Sequence, residues 1–363
     1  MVGTMEVYIA LIVFVFFLGF LTSGLKNKAK KNNIVVILTC IVLFLVYMLR
    51  DYRVGVDLEG YVYAYDNMDE KNYYETYLEN GYVFLMEICN KIGLTFRGFL
   101  LILYLAFFIP FAEFLKRYSK DAVLSLIIFI CYNFLVFTLS GLRQTVAMGI
   151  CLVAFMVAQK TTKKALIWYI LLIVLAMQFH KSAIVFLPAY FIMRHSIDKR
   201  WLLFYSIFSL VVILIRVPIV VYLNAADYTH YQFESNLTIG STFYLGVLAT
   251  LAAFYLSQNE SIGKSEKGKI QLLLSNFANL MVFSILLKLL FSGTIMMRSA
   301  MYYEMLIMIM IPNMLLQINK SFSGVIRALV FVMLCVIFYV AVLVPRQFDI
   351  VPYILAYDLS LFK

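Results

Sequence analysis

The sequence predicts an all-α polytopic membrane protein with about 12 transmembrane helices, within a range of about 10–13. Two observations support this fold class. Hydrophobic residues make up 64% of the 363-residue chain and the mean hydropathy is +0.91, more apolar surface than a water-soluble domain of ordinary design can cover. Apolar runs of the length that crosses a bilayer, roughly 20 residues, also recur along the chain. We therefore predict a single transmembrane domain over residues 1–363.

Short polar breaks separate the apolar runs and give the order of the helices. The first run, residues 7–21, has no basic segment before it and no small-residue cleavage pattern near its end. We therefore predict a retained helix and not a signal peptide. The predicted spans are 5–23, 34–49, 97–115, 121–139, 144–159, 165–179, 182–193, 201–216, 241–257, 270–291, 299–317 and 327–345.

The net charge of +10 comes from lysines and arginines that recur in small clusters between the apolar runs. This distribution argues against nucleic-acid binding, and it matches the enrichment of Lys and Arg in the cytoplasmic loops of membrane proteins. We therefore predict that alternate loops are cytoplasmic and that both termini are extracytoplasmic. The predicted cytoplasmic clusters hold 18 of the 30 basic residues and lie at 26–31, 116–120, 160–164, 194–200, 263–269 and 320–327.

The segment 50–96 is predicted to be extracytoplasmic and to contain short amphipathic helices. It is rich in acidic residues and tyrosines, and tyrosine combines an apolar ring with a polar hydroxyl at membrane surfaces. A second extracytoplasmic loop is predicted at 217–240. The side chains that helical spacing places on one face of the first segment are Tyr82, Leu85, Met86, Cys89 and Ile92.

The stretch "RDYRVGVDLEGY", residues 50–61, places charged side chains directly after an apolar run. Arg50 and Arg53 offer guanidinium groups that can bind phosphate oxygens in pairs. Asp57 offers a general base or a carboxylate that binds a hydroxyl group. Arg50 is alternatively an anchor for the end of the preceding helix.

The motif "SGLRQ" places Arg143 at the start of a predicted span, directly after a turn. Its guanidinium would lie near the positive end of the helix dipole, an arrangement that favours anions. Gln144 is a neighbouring candidate for substrate binding. The alternative is an arginine that only anchors the helix end.

The motif "QFHKSA" is a polar break between two apolar runs. His180 can transfer a proton near neutral pH, and Lys181 offers a compact positive charge to a phosphate. The alternative for His180 is a structural histidine whose hydrogen bonds are satisfied within the fold.

The motif "MMRSAMYYE" contributes a last group of candidates. Helical spacing places Arg298 and Tyr302 on one face. Glu304 lies inside an apolar run and therefore needs a partner or a polar cavity. Tyr303 is a further candidate for substrate binding, whereas Lys288 and Glu113 are predicted to be structural.

Several common catalytic signatures are absent from the sequence. There is no HExxH, GxSxG, Walker loop or DxD-like metal pair, and the five scattered cysteines form no CxxC motif. We therefore predict no metal site and no cofactor. Arginines, carboxylates and tyrosines at one membrane face suit a substrate with a lipid tail, an anionic phosphate and a polar sugar.

Four motifs, taken in order, resemble the pattern of the EpsG family of Wzy-type oligosaccharide repeat-unit polymerases. They are "RDYRVGVDLEGYVYAYDN", "ENGYVFLMEICNKIG", "SGLRQTVAMGICLVAF" and "LAMQFHKSAIVFLPAYF", with weaker support from "RSAMYYE". The resemblance covers about residues 47–190. Leu58 stands where the family often has threonine, and Asn80 where it often has proline.

The resemblance implies a metal-independent glycosyltransferase in a bacterial cytoplasmic (inner) membrane, with GT-C-like as a candidate fold. It would transfer a growing glycan from undecaprenyl pyrophosphate to another lipid-linked repeat unit at the extracytoplasmic face, in exopolysaccharide, capsule or O-antigen synthesis. Chain-length regulator and flippase proteins are the expected partners beside the lipid-linked substrates. We expect Arg143 and Arg298, with Arg53 or Lys181, to hold the pyrophosphate.

The general base is expected to be Asp57 or His180, and both remain candidates at this point. Other functions also fit the sequence. A lipid-linked oligosaccharide flippase would explain many spans and charged cavities, although it predicts charges along a path open to both sides. An oligosaccharide ligase or a membrane O-acyltransferase could use the same histidine and arginines.

Overall fold

The structure is a computed structural model, and within the residues that it describes the fold is all-α, as predicted. Those residues contain one isolated antiparallel bridge, between Arg50 and Leu355, and no strand. The described residues are 5–68, 78–160, 162–195, 198–225, 240–257, 266–292, 294–318, 320–343 and 347–361.

The chain divides into two compact units, of which the first is Met1–Ile184 with Leu329–Lys363. Its helices include long apolar helices and shorter ones. They are α1 (Glu6–Leu21), α2 (Lys28–Leu49), α3 (Leu58–Asp66), α4 (Asn80–Lys91), α5 (Phe96–Tyr118), α6 (Ala122–Cys131), α7 (Phe134–Ser140), α8 (Leu142–Ala158) and α9 (Lys163–Met177).

The second unit is Val185–Ala328. Short 3-10 helices at Lys181–Phe186, Ile295–Ala300 and Gln347–Asp349 and a π-helix at Tyr339–Leu343 complete the described elements of the chain. The α-helices that lie in the second unit or begin there are α10 (Ala189–Ile192), α11 (Lys199–Ala225), α12 (Ser241–Ser257), α13 (Glu266–Leu290), α14 (Met301–Glu304), α15 (Ile307–Leu315) and α16 (Lys320–Phe338).

Four of the described helices, α2, α5, α11 and α13, are long and apolar enough to cross a membrane. A fifth span results if α6 and α7 count as one helix bent by 56°. The bend occurs where Asn133 adopts a left-handed backbone with φ of 93°, a conformation that asparagine tolerates better than most residues. Together with several shorter apolar helices, these spans indicate a membrane-embedded protein.

Besides the span 121–139, which is divided into α6 and α7, three predicted segments differ from the observed helices. The predicted span 182–193 is a 3-10 helix followed by the four-residue helix α10, and 299–317 consists of short helical pieces. Helix α11 continues to Ala225, into the first part of the predicted loop 217–240. Residues 226–239 of that loop lie outside the described part of the chain.

Helix α5 is the centre of the first unit and packs against both α2 and α8. The contact with α8 is close, because a Cβ atom added at Gly149 would lie 2.6 Å from the backbone oxygen of Ala106. Small residues at such positions let the backbones of membrane helices approach each other. The packing fixes the ends of these helices, from which the polar side chains of the unit project.

Three of the basic clusters lie at one end of the first unit. The side chain of Asn32, next to cluster 26–31, donates a hydrogen bond to the backbone oxygen of Ser119 at 3.2 Å. The ring of Tyr118 packs on that of Phe155, close to cluster 160–164. The loops predicted to be cytoplasmic therefore share one end of this unit.

The segment 347–361 packs on the loop that follows α2. The backbone nitrogen of Asp51 donates to the oxygen of Ile354 at 2.8 Å, and that of Val56 donates to the oxygen of Phe348 at 2.9 Å. The ring of Phe348 also contacts that of Phe137 in α7, edge to face. Residues far apart in sequence thus complete the polar end of the first unit.

Candidate functional site

Two short helices, α3 and α4, form the described part of the predicted amphipathic segment. In α4, Tyr82, Met86 and Cys89 are buried on one face, as the helical spacing predicts. Leu85 is only partly buried. The prediction for Ile92 is wrong, because this residue is 61% exposed. Ile92 follows the last helical residue, so the helical spacing used to predict its face no longer applies there.

A carboxylate at the start of α4, that of Glu79, connects residues from three parts of the first unit. Its Oε2 accepts a hydrogen bond from Arg143 Nη1 at 2.5 Å. Its Oε1 lies 3.1 Å from His180 Nδ1 and accepts a hydrogen bond from the backbone nitrogen of Lys181 at 3.1 Å. We call Glu79, Arg143 and His180 the carboxylate cluster.

The local fold explains why these side chains meet. Tyr82 donates its backbone N–H to the oxygen of Gln178 at 3.2 Å, which ties the first turn of α4 to the end of α9. A Cβ atom added at Gly81 would lie 2.5 Å from Gln178 Cβ, so only glycine permits this approach. Lys181 donates its backbone N–H to Glu79 instead of continuing α9, and a 3-10 helix begins there.

Arg143 is held from two sides. Besides its bond to Glu79, its Nε donates to the hydroxyl of Tyr61 in α3 at 3.1 Å, and its guanidinium lies over the Tyr61 ring. The Arg143 side chain is 23% exposed and that of Glu79 only 7%. The cluster is therefore mostly shielded from solvent, and its charges interact more strongly than they would at an open surface.

Asp57 lies next to this cluster. Its Oδ2 accepts a hydrogen bond from the hydroxyl of Ser140 at 3.1 Å, and its backbone N–H donates to the same hydroxyl at 3.2 Å. Its backbone oxygen accepts the N–H of Tyr61, the residue that binds Arg143. Asp57, Arg143 and His180 are thus predicted site residues that the fold brings to one end of the first unit.

The turn before Asp57 depends on a glycine. Gly55 has φ of +116°, which residues with a side chain rarely adopt, and an added Cβ would lie 2.9 Å from the oxygen of Leu139. We expect Gly55→Ala to destabilise the protein by more than about 1 kcal/mol, measured as the free energy of unfolding in detergent. Gly60→Ala is the matched control, because nothing lies within 4 Å of its added Cβ and alanine favours the helix.

Arg50 is completely buried and acts as an anchor. Its Nη1 donates to the backbone oxygen of Val54 at 2.7 Å and its Nη2 to the hydroxyl of Tyr104 at 2.5 Å. Arg53 has the opposite environment, since its side chain is 63% exposed and pairs with Asp51 at 2.7 Å. That contact lowers the pKa of Asp51, chiefly through the hydrogen bond from Arg53.

The remaining predicted site residues divide between the two units. Gln144 is buried beside Arg143 at the start of α8, and the side chain of Lys181 is exposed.

In the second unit, the buried Tyr303 donates its hydroxyl to the oxygen of Val185 at 2.6 Å. Glu304 forms a buried ion pair with Lys288, which supplies the partner that it was predicted to need. Also in the second unit are Arg298, which is partly exposed, and Tyr302, which is buried.

The environment of Glu79 lowers the pKa of its carboxyl group. Burial works in the opposite direction and is the largest single influence, but the hydrogen bond with His180 and the charge of Arg143 outweigh it. Together with the N–H of Lys181, they bring the pKa of Glu79 to about 2. The carboxylate is therefore ionised at neutral pH.

This shift predicts how stability depends on pH. The pKa of Glu79 is lower in the folded protein than its ordinary value of 4.5, so the stabilisation is complete above pH 4.5 and is lost as the pH falls towards about 2. We expect the midpoint temperature of unfolding to fall more steeply over that range for the wild type than for Glu79→Gln. Parallel curves for the two proteins would contradict the lowered pKa.

Glu79 was not among the residues predicted for the site. Glu79 is the first residue of "ENGY", and the membership of this motif in the family pattern was the one feature of the sequence that could have indicated a role for it. Charge counting did not single out Glu79, because one acidic residue among many in this segment has no distinctive pattern. Among the described residues, no group of three or more His, Cys, Asp and Glu side chains is arranged to hold a metal ion.

The fold and the site together define a polytopic, all-helical membrane protein with a charged cluster at one end of its first unit. The model of the EpsG family matches residues 33–355, nearly the whole chain, which confirms the resemblance found in the motifs. The chain therefore belongs to the EpsG family, and membership indicates a glycosyltransferase-like role of the polysaccharide-polymerase type. No curated protein and no solved structure matches the chain.

Proposed function

We propose that the protein polymerises lipid-linked oligosaccharide repeat units into exopolysaccharide, capsule or O-antigen. The donor is a glycan on undecaprenyl pyrophosphate, and the acceptor is a sugar hydroxyl of another lipid-linked unit. The oxygen of that hydroxyl forms a bond to the anomeric carbon of the donor, and the bond from that carbon to the pyrophosphate breaks. The hydroxyl proton passes to a base on the protein, and undecaprenyl pyrophosphate leaves.

The observation that carries this proposal is the environment of His180. Its Nδ1 faces the carboxylate of Glu79, whereas its Nε2 has no hydrogen-bonding partner among the residues that the structure describes. The side chain is 30% exposed, so a substrate hydroxyl can approach it. The lone pair of an unprotonated Nε2 can accept the proton of a substrate hydroxyl. We propose His180 as the base in preference to Asp57, whose Oδ2 accepts a hydrogen bond from Ser140.

Positive charge near His180 supports binding of the pyrophosphate. Lys181 is exposed, and its ammonium group has no partner in the described part of the chain. Arg143 adds a guanidinium, although Glu79 neutralises part of its charge. Fixed cations stabilise the negative charge that develops on a departing pyrophosphate. From its motif in the sequence, we also propose Arg298 as a pyrophosphate-binding residue.

The proposal includes an orientation in the membrane. Three lysine-rich loops share one end of the first unit, and such loops are enriched on the cytoplasmic side. We propose about 12 spans in a bacterial cytoplasmic membrane, with both termini and the carboxylate cluster on the extracytoplasmic side. The fold would be GT-C-like, and the partners would be flippase and chain-length regulator proteins of the same pathway.

Arginine variants test the proposal in cells that lack the chromosomal copy of the gene. We expect Arg143→Ala and Arg298→Ala each to lower the yield of long polymer by about 100-fold or more, while single repeat units accumulate on lipid at the outer face. The yield is measured by gel electrophoresis of extracted glycans. Arg194→Ala is the matched control, because Arg194 lies in a predicted cytoplasmic loop and stacks on Tyr190.

Two results would contradict the proposal. Repeat units trapped on the cytoplasmic side would indicate a flippase, since a flippase acts before polymerisation. Long polymer made by correctly inserted Arg143→Ala and Arg298→Ala variants would show that these arginines do not hold the pyrophosphate. Insertion is checked by the amount of folded protein extracted from membranes.

A further inference from the structure

Glu79 is the one residue of the carboxylate cluster that contacts both of the others, and the proposed reaction has given it no role. We infer that Glu79 is a positioning residue, whose carboxylate holds His180 in the tautomer with its proton on Nδ1 and at the same time holds Arg143. This inference rests on the proposed function, because positioning His180 matters only if His180 is the base of that reaction. Its evidence is the geometry of the cluster, which is independent of the reaction.

The donors around Glu79 fix the position of the histidine proton. An ionised carboxylate can only accept hydrogen bonds, and the guanidinium of Arg143 and the backbone N–H of Lys181 both stabilise the ionised form of Glu79. The 3.1 Å contact between its Oε1 and His180 Nδ1 therefore requires a proton on Nδ1. In a neutral imidazole the other nitrogen, Nε2, is then an acceptor. Nε2 is therefore the nitrogen that can take the proton from the hydroxyl group of the sugar that receives the glycan.

The two oxygen atoms of Glu79 leave the carboxylate little freedom to turn. Oε2 is bound by Arg143 and Oε1 by both the imidazole and the backbone of Lys181. Because Glu79 is almost completely buried, water does not compete effectively for these contacts. One carboxylate thus sets the orientation of the proposed base and of the neighbouring guanidinium together.

The tautomer can be measured directly, because the chain has only three histidines, His180, His195 and His230. In a His195→Gln, His230→Gln background, ¹⁵N-labelled histidine gives the NMR signals of the His180 imidazole alone. Spectra of the full chain in detergent are recorded at about pH 8.5, where histidine is ordinarily neutral. We expect the wild-type cluster to show the proton on Nδ1.

Two variants remove the acceptor in different ways. Glu79→Gln keeps the size of the side chain but replaces one carboxylate oxygen by an NH2 group, which donates and does not accept, so that either Arg143 or His180 loses its acceptor. Glu79→Ala has none. We expect both variants to lose the exclusive Nδ1 tautomer and to show a mixture of the two forms. Glu87→Gln is the matched control, because Glu87 lies in the same helix and pairs with the exposed Lys91 at 3.6 Å.

The possible outcomes separate this inference from the proposed function. A proton on Nε2 in the wild type, or an unchanged Nδ1 tautomer in both Glu79 variants, would overturn the inference. A purely structural ion pair would lower the stability of the variants without changing the tautomer. A wild-type protein that shows the Nδ1 tautomer but forms no polymer from lipid-linked units would overturn the proposed function and leave the assignment of Glu79 intact.

Discussion

His180→Ala is expected to lower the rate of polymer formation by about 10²–10⁴-fold, the range typical for loss of a general base. The physical reason is that the hydroxyl of a sugar is a weak nucleophile until its proton is removed. Purified protein in liposomes with undecaprenyl-pyrophosphate-linked repeat units gives the rate, measured as the increase of glycan length with time. The expected loss is in the rate at saturating substrate, because His180 acts on the reacting hydroxyl.

His195→Ala is the control for this experiment. His195 is exposed, lies in the second unit, and places its Nδ1 3.0 Å from the backbone oxygen of Phe191. Its loss should leave the rate unchanged. If His180→Ala polymerised at the wild-type rate, His180 would be excluded as the base, and Asp57→Asn would be the next variant to measure.

The second large effect concerns stability and involves the buried ion pair of Lys288 and Glu304. We expect Glu304→Leu or Lys288→Met alone to lower the free energy of unfolding by about 3–5 kcal/mol, because each leaves an uncompensated buried charge. The double variant should recover most of the loss, since two apolar side chains can replace a buried pair. The free energy of unfolding is measured in mixed detergent micelles for the wild type, the two single variants and the double variant.

The same set of variants also tests whether Glu304 binds substrate. If the double variant is stable and still polymerises, Glu304 has only a structural role, and it is removed from the candidate site residues. If the double variant is stable and inactive, Glu304 or Lys288 contributes to function beyond their pairing, and the activities of the two single variants show which of them does. Single variants as stable as the wild type would contradict the burial of an interacting pair.

Much of the fold follows from local patterns in the sequence. Apolar runs located the long helices, because a helix in a membrane must satisfy its own backbone hydrogen bonds. One cause of the interruption of 182–193 is visible in the sequence, because Pro188 lacks a backbone N–H and α10 begins directly after it. The second cause, a hydrogen bond from the Lys181 backbone to Glu79, joins residues distant in sequence and could not be foreseen. The bend at Asn133 depends on one backbone conformation that no periodic pattern signals.

Most residues of the candidate site could be predicted from the sequence, but the contacts between them could not. Arg143, His180 and Asp57 were all recognised from charge near the ends of apolar runs. Their connection through Glu79 required knowledge of which loops meet, and that depends on the packing of α5 against α8 and on the close approach at Gly81. For Arg50 the sequence left two functions open, substrate binding and anchoring of the preceding helix. Its complete burial, which depends on tertiary contacts, supports the anchor.

The contacts between segment 347–361 and the Gly55 turn also bear on how the protein is made. Gly55 donates its backbone N–H to the oxygen of Asp349, so the turn that carries Asp57 is completed by residues translated almost 300 positions later. At ordinary rates of synthesis, this delay is roughly 15–60 s. The helices between these two segments are therefore synthesised before the turn that carries Asp57 acquires its final partner.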